Sequence, residues 1–137
     1  MTSQVCINVL FQNEFYRLCF ISNIVPLLHL CITTIGSIPS EISHLDKLSS
    51  LVLAGNRMSG SIPNELENIT SLRQLHMNGQ RDFGGFSGPV PSFESSPHLH
   101  DINFSRNSLT GSIPIDFLSA VRSSISHDDY AGVAIDM

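Results

Sequence analysis

Apolar and polar residues follow one arrangement three times along the chain, L-x-x-L-x-L-x-x-N/Q, with copies that begin at Leu48, Leu72 and Leu99. Met, Ile or Phe replaces some of the leucines. In the first copy Leu51 and Leu53 stand two residues apart, a spacing that places both side chains on one face of a strand. The pattern therefore predicts short strands, each with an apolar face turned inward.

A second element, Gly-x-Ile/Val-Pro, recurs four times in step with the strands, and its glycines are 24, 28 and 23 residues apart. After Pro63, Leu66 and Ile69 stand three residues apart, which predicts a short helical or 3₁₀ turn. Two patterns in register at this period indicate coils that bury their apolar faces only by stacking. The four copies are Gly36–Pro39, Gly60–Pro63, Gly88–Pro91 and Gly111–Pro114.

These motifs resemble those of the leucine-rich repeat family, and specifically its plant-type subclass. The resemblance covers about residues 28–121. It implies an α/β fold, a right-handed solenoid with a short parallel sheet on the concave face and turns or short helices on the convex face. It also implies non-catalytic recognition of a protein or peptide, as in receptor-like proteins. The residues that carry it in the second coil are Leu51, Leu53, Asn56, Met58, Gly60, Ile62, Pro63, Leu66, Ile69 and Leu72.

The chain divides into three predicted parts: an apolar N-terminal segment over residues 1–27, about four repeats over 28–121, and a non-repeat tail over 122–137. Residues 18–35 lack a formal charge, which makes them a weak signal-anchor candidate. Polar residues within them favour an irregular apolar cap instead. No recognisable cap closes either end of the array, and solenoids need caps for solubility. We therefore expect a piece of a larger receptor-like chain or a truncated gene model, with end-to-end self-association as the alternative.

The third repeat carries an insertion at 80–86, which leaves Gln80 or Gly84 at the position of the repeat Asn. Insertions in solenoids emerge as loops, often on the binding face. Two interpretations stay open: the tip folds back onto the core, or it contacts a partner. The tip consists of Arg81, Asp82 and Phe83.

The composition limits the classes of function that are open to this chain. The 137 residues are 42% hydrophobic and 14% charged, with a formal net charge of −5. This charge argues against nucleic-acid binding, which requires clustered Lys and Arg. The three cysteines, Cys6, Cys19 and Cys31, are an odd number without C-x-x-C spacing. We interpret them as small buried apolar residues.

Stacking the strands in register predicts a polar patch on the concave face. Ser50, Gln74 and Asp101 fall in one column, and adjacent strands lie about 4.8 Å apart. In the family, such positions contact ligands; otherwise they are the solvated side of a sheet. The residues predicted to contact a partner are Arg73, Gln74, His76, Asn78, His100, Asp101, Asn103 and Arg106.

Other chemistry is not predicted. The sequence has no nucleophile–base signature and no phosphate-binding loop, so we expect neither an enzyme nor a cofactor. His98, His100 and Asp101 are metal-ligand types, but no further ligands accompany them, and no metal is predicted. The sequon at Asn68 predicts a glycan if the chain is secreted. The sequence favours the secretory pathway, a membrane or an extracellular location over an intracellular scaffold; a truncated array without autonomous function is the third hypothesis.

Overall fold

The structure is a computed structural model in which successive strands stack into two parallel sheets. It describes the backbone of residues 4–11, 14–21 and 27–29, and the backbone and side chains of residues 35–80 and 84–115. The strands in these ranges are β1 (Gln4–Phe11), β2 (Glu14–Ile21), β3 (Leu27–His29), β4 (Ile35–Gly36), β5 (Ser50–Val52), β6 (Arg57–Ser61), β7 (Gln74–His76), β8 (Gly85–Gly88), β9 (Asp101–Asn103) and β10 (Ser108–Leu109). The 3₁₀ helices there are η1 (Ser40–His44) and η2 (Asn64–Asn68).

The inner sheet has the order β3-β5-β7-β9, with every pair parallel. Leu28, Leu51, Leu75 and Ile102 are successive partners across it, so the coils stack in the register that the leucine pattern predicts. Leu51 and Leu75 are fully buried, whereas the residues on either side of each are half-buried. The predicted concave sheet is confirmed.

The second sheet, in the order β4-β6-β8-β10, was not predicted from the sequence. Strands β4, β6 and β8 include the glycine of the motif, and β10 ends two residues before Gly111. The pairing is displaced by two residues relative to the motif. Gly60, for example, pairs with Phe86 rather than with Gly88, the equivalent glycine of the next coil. Gly36, Gly60 and Gly88 therefore each lie beside a buried apolar residue of the following coil.

Each 3₁₀ helix begins directly after a motif proline. Pro39 and Pro63 have extended backbone, and their carbonyls accept hydrogen bonds from Ile42 N (3.1 Å) and Leu66 N (3.2 Å). Proline suits this position because its fixed φ is compatible and its missing N–H is not required. The buried side chains between the layers are Ile38, Ile42, Leu45, Leu48, Leu51, Leu53, Met58, Ile62, Leu66, Ile69, Leu72, Leu75, Met77, Phe86, Val90, Phe93, Leu99, Ile102, Phe104 and Leu109.

Strands β1 and β2 form an antiparallel hairpin, and β1 lies beside β4 and η1 of the first coil. This is where the sequence predicted an irregular cap, although the domain boundaries at 27 and 121 stay predictions. Among the described residues, no helix has the length and apolar character needed to cross a membrane. The short parallel sheet, the convex 3₁₀ helices and the stacked coils confirm the predicted α/β solenoid.

Candidate functional site

Four polar side chains on the concave face form a continuous chain of hydrogen bonds, which we call the concave network. Ser50 Oγ donates to Gln74 Oε1 (2.5 Å), and Gln74 Nε2 donates to Asp101 Oδ2 (2.8 Å). His76 Nε2 lies 2.8 Å from the other carboxylate oxygen, Oδ1 of Asp101. The pairing of β5, β7 and β9 places the first three in one column and His76 diagonally across from Asp101. The network therefore joins three successive coils.

The Asp101 carboxylate is the centre of the network. Its partial burial raises its pKa, but the hydrogen bonds from His76 and Gln74 and the charges of His76 and His100 lower it by more. The pKa therefore lies below its ordinary value of 3.8. Asp101 is consequently ionised at physiological pH and holds its two neighbours in fixed orientations.

Arg73 and His100 flank the entrance to the inner strands, as the sequence predicted. The carbonyl of Arg73 accepts from His100 N (3.0 Å) and Asp101 N (3.1 Å), which places the two residues on adjacent coils. Both are exposed. The ring Nδ1 of His100 lies 2.7 Å from the carbonyl oxygen of His98, so the imidazole is oriented by its own loop.

Asn103 and Asn78 are half-buried residues beyond the network. Asn103 Oδ1 accepts from Ser105 N (3.1 Å) and Ser105 Oγ (2.8 Å), a local turn that fixes the amide. The carbonyl of Asn78 accepts from Gly55 N (2.9 Å), which continues the inner ladder past the strands. The concave surface is thus held by backbone and side-chain bonds together.

Arg106 adopts an unfavourable backbone conformation for a non-glycine residue, with φ of 57°. The equivalent positions of the two preceding coils are Gly55 and Gly79, with φ of 70° and 81°. A non-glycine residue in this region costs about 1–2 kcal/mol. The fourth coil therefore presents an exposed guanidinium at a position where glycine would relieve strain, and such strain is often found at functional sites.

Two buried side-chain amides bond to backbone groups of the preceding coil and so hold neighbouring coils together. Asn107 Oδ1 accepts from Phe86 N (2.9 Å), and its Nδ2 donates to Met77 O (2.9 Å). Gln80 makes the same contacts one coil earlier, to Met58 N (3.0 Å) and Leu53 O (2.6 Å). Of the two residues considered from the sequence, Gln80 rather than Gly84 therefore fills the repeat Asn position.

Charges are distributed unevenly between the two faces. Within residues 35–80 and 84–115, Asp101 is the one carboxylate in a strand of the inner sheet. His76 bonds to its carboxylate, Arg73 and His100 lie at the entrance of the inner strands, and Arg106 follows the end of β9. The other carboxylates of these residues lie on the 3₁₀ helices or in turns: Glu41, Asp46, Glu65, Glu67 and Glu94. The concave face is thus richer in basic groups than the acidic chain as a whole.

The structure brings together Gln74, His76 and Asp101 from the predicted set, and it adds Ser50. Ser50 stood in the same predicted column but was not proposed as a site residue, since a serine carries no distinctive signal. The insertion tip, residues 81–83, lies outside the described residues. In the described part of the chain, no group of three or more His, Cys, Asp or Glu side chains could hold a metal ion.

The comparison with protein families identifies the repeats. Residues 47–69 and 98–120 match the family model described as Leucine Rich Repeat. These two segments are leucine-rich repeats. Both matched segments contain one inner strand and its following motif, so the match agrees with the coils observed in the structure. No curated protein matches the sequence.

The chain is similar to solved structures of plant proteins. A plant peptide hormone receptor, RGFR1 in complex with RGF2, is 30% identical with a TM-score of 0.60, over 67% of this chain and 14% of the receptor chain. A chain of the BIR3–SERK2 complex from Arabidopsis thaliana is 31% identical with a TM-score of 0.58, and the match covers 72% of this chain and 48% of that one. A plant ice-binding protein is 32% identical with a TM-score of 0.58, and the match covers 67% of this chain and 29% of that one. The chain thus spans less than half the length of each.

Proposed function

We infer that the chain is a non-catalytic recognition module, part of or derived from a receptor-like protein, that binds a protein or peptide through its concave face. The observation that carries this proposal is the concave network with the basic residues beside it. Its side chains are fixed by hydrogen bonds before any partner arrives, which reduces the entropy lost on binding. The similarity to a receptor solved with a peptide hormone supports the same function.

The charge distribution indicates the chemistry of the partner. The carboxylate of Asp101 already has two partners in Gln74 and His76. Arg73 and Arg106 instead lie exposed at the two ends of the strands. Guanidinium groups favour carboxylates because they offer paired N–H donors. We therefore expect a peptide or loop that carries Asp, Glu or a free C-terminal carboxylate.

The size of the surface favours a peptide over a folded partner. A standard interface buries about 800 Å² on each side. The inner sheet has three or four strands of three residues each, spaced about 4.8 Å apart. Its surface area is too small for an interface of that size. A short extended peptide, or one part of a larger surface, matches the available strands.

The test is a screen of residues 1–137 against a library of synthetic peptides, followed by calorimetry on the strongest binder. We expect selected peptides to be acidic. Changing their Asp and Glu to Asn and Gln weakens binding, as does raising the salt concentration. Selection of neutral or basic peptides would contradict the proposed partner chemistry.

Arg106→Gly is the decisive variant. It removes the guanidinium and at the same time relieves the strained φ, so stability should not fall. We expect about tenfold weaker binding, which corresponds to about 1.4 kcal/mol. His76→Ala with Asp101→Ala should also weaken binding, while unfolding changes by no more than about 1 kcal/mol. Glu65→Ala on η2 is the matched convex control and should bind like the wild type.

We also propose an extracellular location. The exposed Asn68 ends η2 on the convex side, away from the concave network, so a glycan there leaves the concave face open. Expression in a secretory eukaryotic host, with gel mobility before and after N-glycosidase, tests this. A shift that Asn68→Gln abolishes supports secretion. An unshifted cytosolic protein favours the intracellular scaffold, and absence of a cooperative unfolding transition favours a truncated array. End-to-end self-association stays a prediction.

A further inference from the structure

The register of the N-terminal hairpin places two of the three cysteines directly opposite each other. In the antiparallel pairing of β1 with β2, Cys6 is the partner of Cys19. The register is continuous on both sides, from Gln4 with Ile21 to Phe11 with Glu14. A slip by one residue would separate the cysteines, so the juxtaposition is specific to this pairing.

The backbone geometry of such a position is compatible with a disulfide. Opposed Cα atoms in an antiparallel pair lie about 4.5 Å apart at a non-hydrogen-bonded position and about 5.5 Å apart at a hydrogen-bonded one. A disulfide joins Cα atoms about 4.4–6.8 Å apart. Both kinds of position fall within this range, and opposed residues share one face of the hairpin.

We propose that Cys6 and Cys19 form a disulfide across the hairpin under oxidising conditions, and that Cys31 keeps its thiol. The sequence alone led us to interpret all three cysteines as small buried apolar residues, because the spacing of cysteines does not show the register of the strands. The hairpin lies beside β4 and η1 of the first coil, so the bond would link its two strands at that end of the described coils. The proposal does not depend on the proposed binding function.

The oxidant is a low-molecular-weight disulfide such as glutathione disulfide. One cysteine thiolate attacks it, which breaks the glutathione S–S bond, forms a mixed disulfide and releases one glutathione. The second thiolate then attacks the protein sulfur of the mixed disulfide and releases the second glutathione. The two cysteines lose two protons and two electrons in all, and these appear in two glutathione thiols.

The test is peptide mapping of the full-length chain after oxidation in a glutathione buffer without denaturant. Remaining thiols are alkylated, and the chain is digested with trypsin without reduction. Cleavage after Arg17 and Lys47 separates Cys6 from Cys19, in fragments 1–17 and 18–47. We expect the two fragments to be joined, with one alkylated cysteine for each chain.

The cysteine variants assign the bond. The joined fragments should persist in Cys31→Ser and disappear in Cys19→Ser. Reduction should separate them in the wild type and in Cys31→Ser. Three alkylated cysteines in the oxidised wild type would overturn the proposal. A cross-link that requires Cys31, or one that joins two chains on a non-reducing gel, would overturn it as well. Because the Cys31→Ser chain keeps both opposed cysteines, a failure of the other variant to fold does not affect the result.

Discussion

Gln80 offers a direct test of how the coils are held together. It is fully buried, accepts a hydrogen bond from Met58 N and donates one to Leu53 O. Gln80→Met keeps the length of the side chain but removes both polar atoms. Of the two backbone groups, Leu53 O keeps a second donor, Nδ2 of Asn56 at 2.8 Å. The substitution therefore deprives Met58 N–H of its partner and leaves Leu53 O bonded.

The expected loss of stability follows from the fact that only one of the two backbone groups is left without a partner. Leaving one buried amide without a partner costs about 1–3 kcal/mol, whereas two orphaned groups would cost about twice that. We therefore expect Gln80→Met to lower the free energy of unfolding by about 1–3 kcal/mol. Asn107→Leu should cost more, because Phe86 N and Met77 O both lose a partner.

Urea unfolding gives the free energies, and hydrogen exchange shows where the change arises. In Gln80→Met the amide of Met58 should exchange faster, while the amide of Phe86, held by Asn107, keeps its protection. Gln80→Asn is the conservative variant; it retains the amide but is one methylene shorter, so an intermediate loss is expected. The reasoning is refuted if Gln80→Met changes stability by less than about 0.5 kcal/mol and leaves Met58 protected.

Two further predictions concern the motif glycines and the carboxylate of the concave network. Gly60→Ala and Gly88→Ala both place a side chain at positive φ, but only at Gly60 would the new Cβ lie 3.3 Å from another atom, Cβ of Ser37. Each should destabilise by about 1–2 kcal/mol, with the larger loss for Gly60 in thermal unfolding; the reverse order would contradict the contact. Because the folded pKa of Asp101 is lowered, its stabilising contribution is present above pH 3.8 and is lost as the pH falls through the folded pKa. His76→Ala should raise that pKa in an NMR titration, and an unchanged titration would show that His76 is not the cause.

The inner sheet was predictable because its signal is local. Leu51 and Leu75 occupy equivalent positions in two copies of one pattern, and burial of one face requires that they stack. The columns of Gln74 with Asp101 and of His76 with Asn103 follow from the same register. These columns could be predicted because side chains alternate between the two faces of a strand with a period of two residues.

Other features depend on contacts that the sequence does not show. The outer sheet pairs Gly60 with Phe86, two residues away from the motif alignment, because that displacement is set by the packing of whole coils. The sequence left open whether Gln80 or Gly84 fills the repeat Asn position. The structure decides it, because the side-chain amide of Gln80 bonds to the preceding coil. Arg106 is different, because Gly55 and Gly79 at the equivalent positions of the two preceding coils already indicate a left-handed backbone there.

The most direct test of the account is hydrogen exchange of the full-length chain with and without a peptide selected from the library. Recognition through the concave face predicts slower exchange in β7 and β9 when the peptide is bound, with η1 and η2 unchanged. Protection confined to the 3₁₀ helices or the outer sheet, with β7 and β9 unaffected, would contradict it.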